Sequence, residues 1–383
     1  MGNRFLVVHI ITGLSSGGAE ITLYKLLSRV NRERFSTVVV SLIDRGTLGD
    51  RIEALGIPVY TIGMKPGMLT PIAVWRLLHT VRQLKPDLVQ GWMYHGNLAA
   101  QLSSFFLAQK VPVLWSIHNS IYSLTFEKRT TAVIIRLGAS ISKFPNNIVF
   151  VSRTSKSQHE TLGYCSENSC VIPNGFDTSL FIPSVEARLA VRSELGLSKE
   201  IFLIGIIGRY HPMKDHANFL QAAALLLKDR PNIHFLLVGQ QVDRENQVLN
   251  QLIQELGLFE QIHLLGERND IPRLTAALDI ACSASYSEAF PNVIGEAMSC
   301  GVPCVVTEVG DSSWIVGNTG RVVAARNPEA LANAWKELFD LGSQTREILG
   351  KAARERIIEY FAMESFVGKY EALYESVLAE KNN

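Results

Sequence analysis

The sequence predicts an α/β protein with two Rossmann-like, doubly wound parallel-sheet domains, and two observations lead to this class. First, apolar β-branched runs alternate with segments of helical period along both halves of the chain, which is typical of a parallel sheet covered on both faces. Second, the 383 residues, 47% of them hydrophobic and 19% charged, are too many for one compact core. They suit two domains of similar size.

The predicted elements follow in chain order. In the first half, strands are expected at 5–11, 36–43, 59–62, 87–92, 111–117 and 147–151, with helices at 20–30, 71–84 and 98–107. In the second half, strands are expected at 201–208, 233–239, 262–265, 280–283, 302–307 and 321–323, followed by amphipathic helices over 328–378. Pro173 and Asn174-Gly175 break regular structure, so a linker is predicted from residue 173 through the charged stretch to Glu200. The predicted domains are 1–172, 173–362 and a C-terminal helix, 363–383, that returns to the N-terminal domain.

The apolar runs and the cysteines of the sequence indicate the cellular location expected for the protein. The longest apolar runs, such as 201–207, fall short of the roughly 20 residues that a membrane-spanning helix needs. The apolar run at 5–11 is followed at once by a Gly-rich stretch, unlike the small-residue cleavage site of a signal peptide, so a cytoplasmic protein is expected. The five Cys form no Cys-x-x-Cys pair and are expected to be reduced, buried thiols.

The two halves of the chain carry opposite charge. Residues 1–172 hold 18 Lys and Arg against 9 Asp and Glu, whereas residues 173–383 hold 19 against 27. The basic half suits an anionic acceptor or a membrane surface, or attraction between two faces across a cleft. Within it, 128–143 forms a basic amphipathic pattern through Lys128, Arg129, Arg136 and Lys143. This segment is either a membrane-contacting helix near a lipid-diphosphate acceptor or an ordinary helix with one solvated face.

A Gly-rich turn follows the first predicted strand. Gly17 and Gly18 precede a helix whose N-terminal N–H groups could receive a phosphate, although a tight turn could also require these glycines. The turn is not a Gly-x-Gly-x-x-Gly fingerprint, and Asp44 lies beyond the position of a ribose-binding acid. A dehydrogenase is therefore disfavoured.

Two cations follow the first strand of the second half. Arg209 comes directly after Gly208, and Lys214 precedes the next predicted helix. This places a guanidinium and an ammonium at the carboxyl edge of a sheet, beside a positive helix terminus. Such a pair can hold a diphosphate without a metal ion, although ordinary surface charge is the alternative.

Two carboxylates flank one end of a further predicted helix, with Glu288 just ahead of it and Glu296 in its second turn. Carboxylates repel a diphosphate but accept hydrogen bonds from the paired hydroxyls of sugar and ribose rings. With the cations, they describe a site for a nucleotide sugar. Alternatively, Glu288 caps the helix and Glu296 faces solvent, but their mostly apolar neighbours indicate a buried element.

Four motifs in register resemble a known family over essentially the whole chain. They are Gly17-Gly18-Ala19-Glu20, Pro173-Asn174-Gly175-x-Asp177, Gly208-Arg209 with Lys214, and Glu288-x7-Glu296 with Phe290-Pro291. Their order and spacing are similar to those of the family-4 retaining glycosyltransferases of the GT-B fold. The resemblance implies two Rossmann-like domains that face a central cleft.

The same resemblance implies roles for individual residues. Arg209 and Lys214 would bind the donor diphosphate, Glu296 the ribose, and Glu288 the donor sugar, against which the ring and carbonyl of His118 would also lie. His118, Arg209, Lys214 and Glu288 are the catalytic residues so implied. Further contacts are expected from Gly17 and Gly18 closing over the diphosphate, Thr307 near the phosphates, Gly266 and Arg268 at the base, and Ala289, Phe290, Pro291, Asn292 and Val293.

Two positions depart from the common pattern of the family. Ala289 stands where the family has Gly, so an extra methyl group lies beside the sugar position. Gly310-Asp311 replaces a Gly-Gly pair within 309–317, a run similar to that of members that build polysaccharide and lipopolysaccharide, including heterocyst-envelope enzymes.

The resemblance implies transfer of a hexose, from UDP-glucose or UDP-N-acetylglucosamine, to a glycan or lipid-diphosphate-linked acceptor in polysaccharide biosynthesis. The sequence holds no Asp-x-Asp, so neither a metal nor any other cofactor is expected. Nucleic acid is not an expected partner, and the expected location is the cytoplasm, at the inner face of the membrane. Two other functions remain open: a sugar-nucleotide epimerase of the same fold and a non-catalytic nucleotide-sugar sensor.

Overall fold

The computed structural model describes residues 4–15, 17–65, 70–121, 123–125 and 128–381. The described chain forms two compact units. The first contains the residues up to Asn174 together with those from Glu364 onward, and the second contains Gly175–Met363. Each unit is built on its own parallel β-sheet, so the predicted α/β class with two doubly wound sheets is confirmed.

The first unit has a seven-stranded sheet. Its strands are β1 (Phe5–Ile11), β2 (Phe35–Ser41), β3 (Val59–Thr61), β4 (Leu88–Trp92), β5 (Val113–Ile117), β6 (Asn147–Phe150) and β7 (Ser169–Val171). They lie in the order β3-β2-β1-β4-β5-β6-β7 and all pair in parallel. The chain order reverses at β1, and in such sheets ligands bind beyond the carboxyl ends of the strands at this point.

Six helices connect these strands. They are α1 (Gly18–Leu27), α2 (Gly46–Glu53), α3 (Pro71–Leu84), α4 (Met93–Phe105), α5 (Arg129–Ile141) and α6 (Arg153–Thr161). Helix α3 begins as the sequence predicts, because the Thr70 side chain accepts a hydrogen bond from the N–H of Ala73 and Pro71 fits the first turn. Helix α4 begins five residues before the predicted Leu98. It follows β4 without a loop, because Met93 takes the left-handed conformation with φ 62°.

The second unit has a six-stranded parallel sheet. Its strands are β8 (Phe202–Ile207), β9 (Ile233–Val238), β10 (Ile262–Leu264), β11 (Ile280–Ser283), β12 (Cys304–Thr307) and β13 (Arg321–Val323), in the order β10-β9-β8-β11-β12-β13. Its helices are α7 (Val185–Glu194), α8 (His216–Asp229), α9 (Gln247–Glu255), α10 (Ile271–Ala276), α11 (Asn292–Ser299), α12 (Ser312–Val316), α13 (Pro328–Asp340) and α14 (Gly342–Phe361). Here the chain order reverses between β8 and β11.

The last helix, α15 (Met363–Lys381), packs on the sheet of the first unit. Tyr374 on this helix donates a hydrogen bond of 2.5 Å to the side-chain oxygen of Gln90, and its ring packs edge-on against Phe35. Gln90 in turn donates to the Ser116 hydroxyl at 2.6 Å. These polar side chains are buried and satisfied by each other, so α15 forms an integral wall of the first unit.

The predicted linker over 173–200 is wrong in its second part, because that stretch contains α7. Ser184 caps this helix by accepting a hydrogen bond from the N–H of Ala187. Arg192, which belongs to the charged stretch of the predicted linker, is only 1% exposed and forms an ion pair of 2.7 Å with Asp279. Charge in this stretch is therefore partly buried and paired, which a charge count along the chain does not reveal.

Strand β7 was also missed by the sequence analysis. It has three residues, each only half-buried, and it pairs with β6 at the edge of the sheet. Its Ser-Cys-Val sequence contains a single β-branched residue and so gives little local indication of a strand.

The expectation for the cysteines is confirmed in part. All five Cys are free thiols; Cys282, Cys300 and Cys304 are buried, whereas Cys165 and Cys170 are only half-buried. Burial raises the pKa of the Cys300 thiol to about 12, which keeps it protonated and unreactive near neutral pH. In the described ranges, we find no helix long and apolar enough to cross a membrane.

Candidate donor site and its relatives

The predicted cation pair lies at the carboxyl end of β8. Arg209 is exposed, and its side chain makes no hydrogen bond or ion pair with any described residue. A single turn of 3₁₀-helix, Pro212–Lys214, then leads to Asp215, which has a left-handed φ of 51° and caps α8 by accepting from the N–H of Asn218. This turn places Lys214 beside the positive end of α8.

Lys214 and Glu288 contact each other directly. The Lys214 Nζ lies 2.5 Å from Oε1 of Glu288, and the Ser285 hydroxyl donates to the same oxygen at 2.8 Å. Both charged side chains are largely buried, with 26% and 16% exposed. The side chain assigned to the diphosphate, Lys214, and the side chain assigned to the sugar, Glu288, are therefore in direct contact. Their opposite charges reduce the repulsion that Glu288 alone would exert on a phosphate.

The loop that carries Glu288 is supported by the segment after β12. Gly310 has φ 55°, and a Cβ atom added to it would lie 2.4 Å from the carbonyl oxygen of Glu288 and 2.6 Å from that of Ala289. The N–H of Asp311 donates to the Ala289 carbonyl at 3.1 Å. Ala289 and Phe290 are both buried. The Gly310-Asp311 pair thus fixes the backbone of the Glu288 loop through close contact.

The predicted short helix after this loop is present as α11, with Pro291 at its N-cap, Asn292 and Val293 in its first turn, and Glu296 half-buried in its second turn. Its Gly295 faces Phe176, because an added Cβ would lie 2.2 Å from the Phe176 ring. The Phe176 ring also stacks on Phe290, with centroids 6.1 Å apart. The Pro173–Asp177 motif therefore contributes the aromatic ring against which α11 is seated.

Two further predicted contacts have side chains engaged within the protein. Thr307 is fully buried, and its hydroxyl donates to the carbonyl oxygens of Ser283 and Ser285, so it supports the residues that precede Glu288. Arg268 donates to both carboxyl oxygens of Asp270 at 2.9 Å and to Glu194 at 2.9 Å. These hydrogen bonds raise the pKa of Arg268.

The Gly266 turn before Arg268 is fixed by backbone hydrogen bonds. Gly266 has φ 64°; its N–H donates to the Val242 carbonyl at 2.9 Å and its carbonyl accepts from the Gly239 N–H at 2.8 Å. With Arg268 held by carboxylates, this turn offers a ligand mainly its backbone edge and the planar face of the guanidinium.

In the first unit, the Gly-rich turn leads into α1 as predicted. The Glu20 carboxylate folds back over Gly17, where an added Cβ would lie 2.2 Å from it, and burial raises the pKa of Glu20. Around Gly18 there is open space. Thr22 joins this helix start to the linker motif, because its hydroxyl lies 2.8 Å from the Gly18 carbonyl and 3.2 Å from Oδ1 of Asn174. Gly18 thus leaves room at the helix N-terminus.

His118 directly follows β5 in the first unit. Both of its ring nitrogens are buried and have no hydrogen-bond partner among the described residues. Burial lowers the pKa of His118 to about 3, so the ring is neutral near pH 7. Its ring stacks on Trp92, with centroids 5.0 Å apart and an angle of 13° between the planes. The sequence analysis did not identify Trp92, Ser285 or the supporting contact of Gly310.

The predicted site residues thus fall into two groups. The second unit holds Arg209, Lys214, Gly266, Arg268, Glu288, Ala289, Phe290, Pro291, Asn292, Val293, Glu296 and Thr307, and the first unit holds Gly17, Gly18 and His118. Among the described residues, no three His, Cys, Asp or Glu side chains are grouped as a metal site requires.

Comparison with known proteins identifies the family. Residues 16–180 match the model described as Glycosyltransferase Family 4, and residues 188–356 match Glycosyl transferases group 1. The chain is a family-4 glycosyltransferase of the GT-B fold. It is 26% identical, over 350 residues, to the UDP-Gal:alpha-D-GlcNAc-diphosphoundecaprenol alpha-1,3-galactosyltransferase of Escherichia coli, and the match covers 87% of this chain and 86% of the relative.

A solved structure similar to this glycosyltransferase is Anabaena HepE in complex with UDP. It has a TM-score of 0.85 and 25% sequence identity, and the match covers 97% of this chain and 99% of HepE. A HepE complex with UDP-glucose gives a TM-score of 0.83 at 25% identity, with 97% of this chain and 100% of HepE covered. The family and fold predicted from four motifs are therefore confirmed.

Proposed function

We propose that this glycosyltransferase moves a hexose from a UDP-sugar, UDP-glucose or UDP-N-acetylglucosamine, to a glycan or lipid-linked glycan during polysaccharide biosynthesis. The observation that carries the proposal is the contact between Lys214 and Glu288, beside the unpaired Arg209, at the carboxyl edge of the second sheet. This arrangement offers cations to a diphosphate and a carboxylate to sugar hydroxyls within one site. HepE has been crystallised with UDP and with UDP-glucose, which supports the choice of nucleotide.

In this proposal the protein supplies positioning and electrostatics. Arg209 and Lys214 stabilise the charge that develops on the departing UDP, so that no metal ion is needed. Glu288 holds the sugar hydroxyls, Glu296 holds the ribose, and neutral His118 lies against the sugar. Transfer proceeds with retention: the bond from C1 to phosphate breaks as the acceptor oxygen attacks the same face, and the leaving phosphate takes the acceptor proton.

The donor is tested by thermal unfolding with a panel of UDP-, GDP- and ADP-sugars. A ligand that binds the folded state stabilises it by about 2.7 kcal/mol at 100 times its Kd. UDP-glucose or UDP-N-acetylglucosamine is expected to raise Tm with concentration, and the GDP- and ADP-sugars are not. A larger shift with a GDP- or ADP-sugar would contradict the choice of donor.

Turnover is then followed by NMR with the stabilising donor and a lipid extract as acceptor. The expected product has the anomeric configuration of the donor, and EDTA leaves the rate unchanged. Inversion at C1 or loss of activity in EDTA would overturn the mechanism. Solvent deuterium entering the donor sugar without acceptor would indicate an epimerase, and binding without any turnover would indicate a sensor.

The first unit carries a surface suited to an anionic membrane, which we name the α4–α5 surface. Its exposed apolar side chains are Phe105, Phe106, Val133, Leu137 and Phe144, each at least half exposed, and Phe105 packs edge-on against Phe144 at 5.7 Å. Exposed cations lie on α5 and at its two ends: Lys128, Arg129, Arg136 and Lys143. Over residues 88–159 the sequence holds seven Lys or Arg and one acidic residue, Glu127. Exposed aromatic rings among a large excess of cations over acids are typical of interfacial binding to anionic lipids.

This surface predicts binding to vesicles that contain phosphatidylglycerol. The double variant Phe105→Ser/Phe144→Ser and the charge reversal Lys128→Glu/Arg129→Glu should each lower the fraction that sediments with such vesicles at least about threefold. The first removes apolar area that would be buried in the membrane interface, and the second reverses two cations that contribute about 1 kcal/mol each near the surface. Phe259→Ser, at a side chain 73% exposed in the second unit, is the matched control and should bind as the wild type does. Unchanged binding by both double variants, or equal binding to pure phosphatidylcholine, would contradict the proposal that the α4–α5 surface binds anionic membranes.

A further inference from the structure

Trp92 is the last residue of β4 and is fully buried. One face of its indole lies against His118, in the stack described above. Another ring, Tyr370 from α15, lies nearly parallel to the indole, with centroids 6.1 Å apart and an angle of 17° between the planes. The indole N–H donates to Nδ1 of His9 at 3.2 Å, and His9 is itself buried in β1. Packing and a hydrogen bond therefore both fix the plane of Trp92.

The ring of His118, unlike that of Trp92, is not fixed by a hydrogen bond to a described residue. Its ring nitrogens have no partner among the described residues, so no hydrogen bond sets the rotation of the imidazole. Its backbone is held, because its N–H contacts Sδ of Met93 at 3.4 Å. The loop that follows is held by α6, since the Ser155 hydroxyl donates to the Asn119 carbonyl and the Gln158 side chain accepts from the N–H of Ile121. The ring alone depends on stacking.

We propose that Trp92 is a positioning residue for His118, and that Tyr370 of the C-terminal helix completes the same stack. The inference rests on the proposed function, in which the His118 ring lies against the donor sugar. An aromatic stack sets the tilt and height of the imidazole without engaging either ring nitrogen in a hydrogen bond to the protein. A hydrogen bond to the ring would occupy one of those nitrogens. Trp92 thus orients the histidine without consuming its polar groups.

The neighbouring strand provides a matched control. Trp115 on β5 is 1% exposed, but its side chain belongs to the core cluster on the other face of the sheet, and its indole N–H has no partner among the described residues. Trp92→Leu and Trp115→Leu remove similar buried volume. Only the first removes the ring that His118 contacts.

The test measures kcat and donor KM for these variants with the UDP-sugar selected above. Trp92→Leu should lower kcat about tenfold with a smaller change in KM, because a small misplacement near the reacting centre affects the transition state most. Trp92→Phe, which keeps a ring against His118, should recover most of this loss. Trp115→Leu should keep kcat within about twofold, because its side chain lies on the face of the sheet opposite the Trp92 ring that contacts His118. In a His118→Ala background, Trp92→Leu should cause no further loss.

The outcomes separate this inference from the proposed function. If His118→Ala keeps wild-type turnover, the role given to His118 in the proposed function is wrong. If His118→Ala loses activity while Trp92→Leu keeps it, or if the two losses are additive, the positioning role is wrong. Should Trp92→Leu fail to fold, Tyr370→Leu and Tyr370→Phe form a second pair: the first should lower kcat and the second should not. Equal activity of Tyr370→Leu and Tyr370→Phe would contradict a role of the aromatic stack in positioning His118.

Discussion

Lys214→Ala is expected to lower kcat about 100- to 1,000-fold, or about 3–4 kcal/mol of transition-state stabilisation, by analogy with removing one preorganised donor from a developing oxyanion. The physical reason is twofold. The ammonium that neutralises the leaving diphosphate is lost, and Glu288 keeps its negative charge in a largely buried place without its partner at 2.5 Å. The measurement is UDP release in the presence of acceptor, with kcat and donor KM determined separately.

A control and a double variant complete this experiment. Lys228 is the same type of residue as Lys214 but is exposed in the last turn of α8, at the opposite end of that helix from Lys214, and Lys228→Ala should leave kcat unchanged. Because Lys214 and Glu288 contact each other, the loss in Lys214→Ala/Glu288→Ala should be much smaller than the sum of the two single losses in free energy. Wild-type turnover in Lys214→Ala would show that the donor site is elsewhere, and additive losses would show that the two residues act separately.

Gly310→Ala is expected to lower kcat/KM about 100-fold, because a displacement of about 1 Å in the Glu288 loop suffices for such a loss. A methyl group at this position would overlap the carbonyl oxygens of Glu288 and Ala289, at 2.4 and 2.6 Å. Both are backbone atoms, so the loop itself must shift. The measurement is kcat/KM for the donor, with the unfolding midpoint recorded on the same preparation.

Gly257 is the control that separates overlap from backbone strain. It has φ 67°, close to the φ of Gly310, but no atom lies within 4 Å of an added Cβ. Both substitutions therefore carry the left-handed penalty of about 1–2 kcal/mol, and only Gly310→Ala also displaces the loop. Gly257→Ala should lose stability and keep kcat/KM. Equal activity of the two variants would mean that the Glu288 loop does not need its present position.

The sheet class could be predicted from the sequence because each central strand is a continuous apolar run. The run Phe202–Ile207 is an example, since five of its six residues are buried. Helix α7 could not be predicted in the same way. The burial of Arg192 depends on Asp279, 87 residues later, and no local pattern encodes that pairing. Local periodicity finds elements, whereas the partners of a buried charge are set by the tertiary fold.

In the candidate site, too, a local pattern identifies some residues, whereas other contacts depend on the tertiary fold. Glu288 and Glu296 could be found because a fixed spacing places them around one short helix, and Arg209 and Lys214 because both follow one strand. The contact between Lys214 and Glu288 joins residues 74 positions apart, and the Trp92 stack joins the last residue of β4 to His118, which follows β5. Trp92 lies in an apolar run, where a tryptophan looks like ordinary core. The sequence therefore identifies the groups that could touch a donor, but not the residues that hold them.

The return of α15 to the first sheet has a consequence for how the chain matures during synthesis. Gln90 and Trp92 are made early, yet Tyr374 and Tyr370, which cover them, follow the whole of the second unit in the chain. One face of the first sheet therefore remains exposed during synthesis until residue 374 has been added to the chain. The first unit can complete its folding only after the last helix has been made, although most of its residues are synthesised before the second unit.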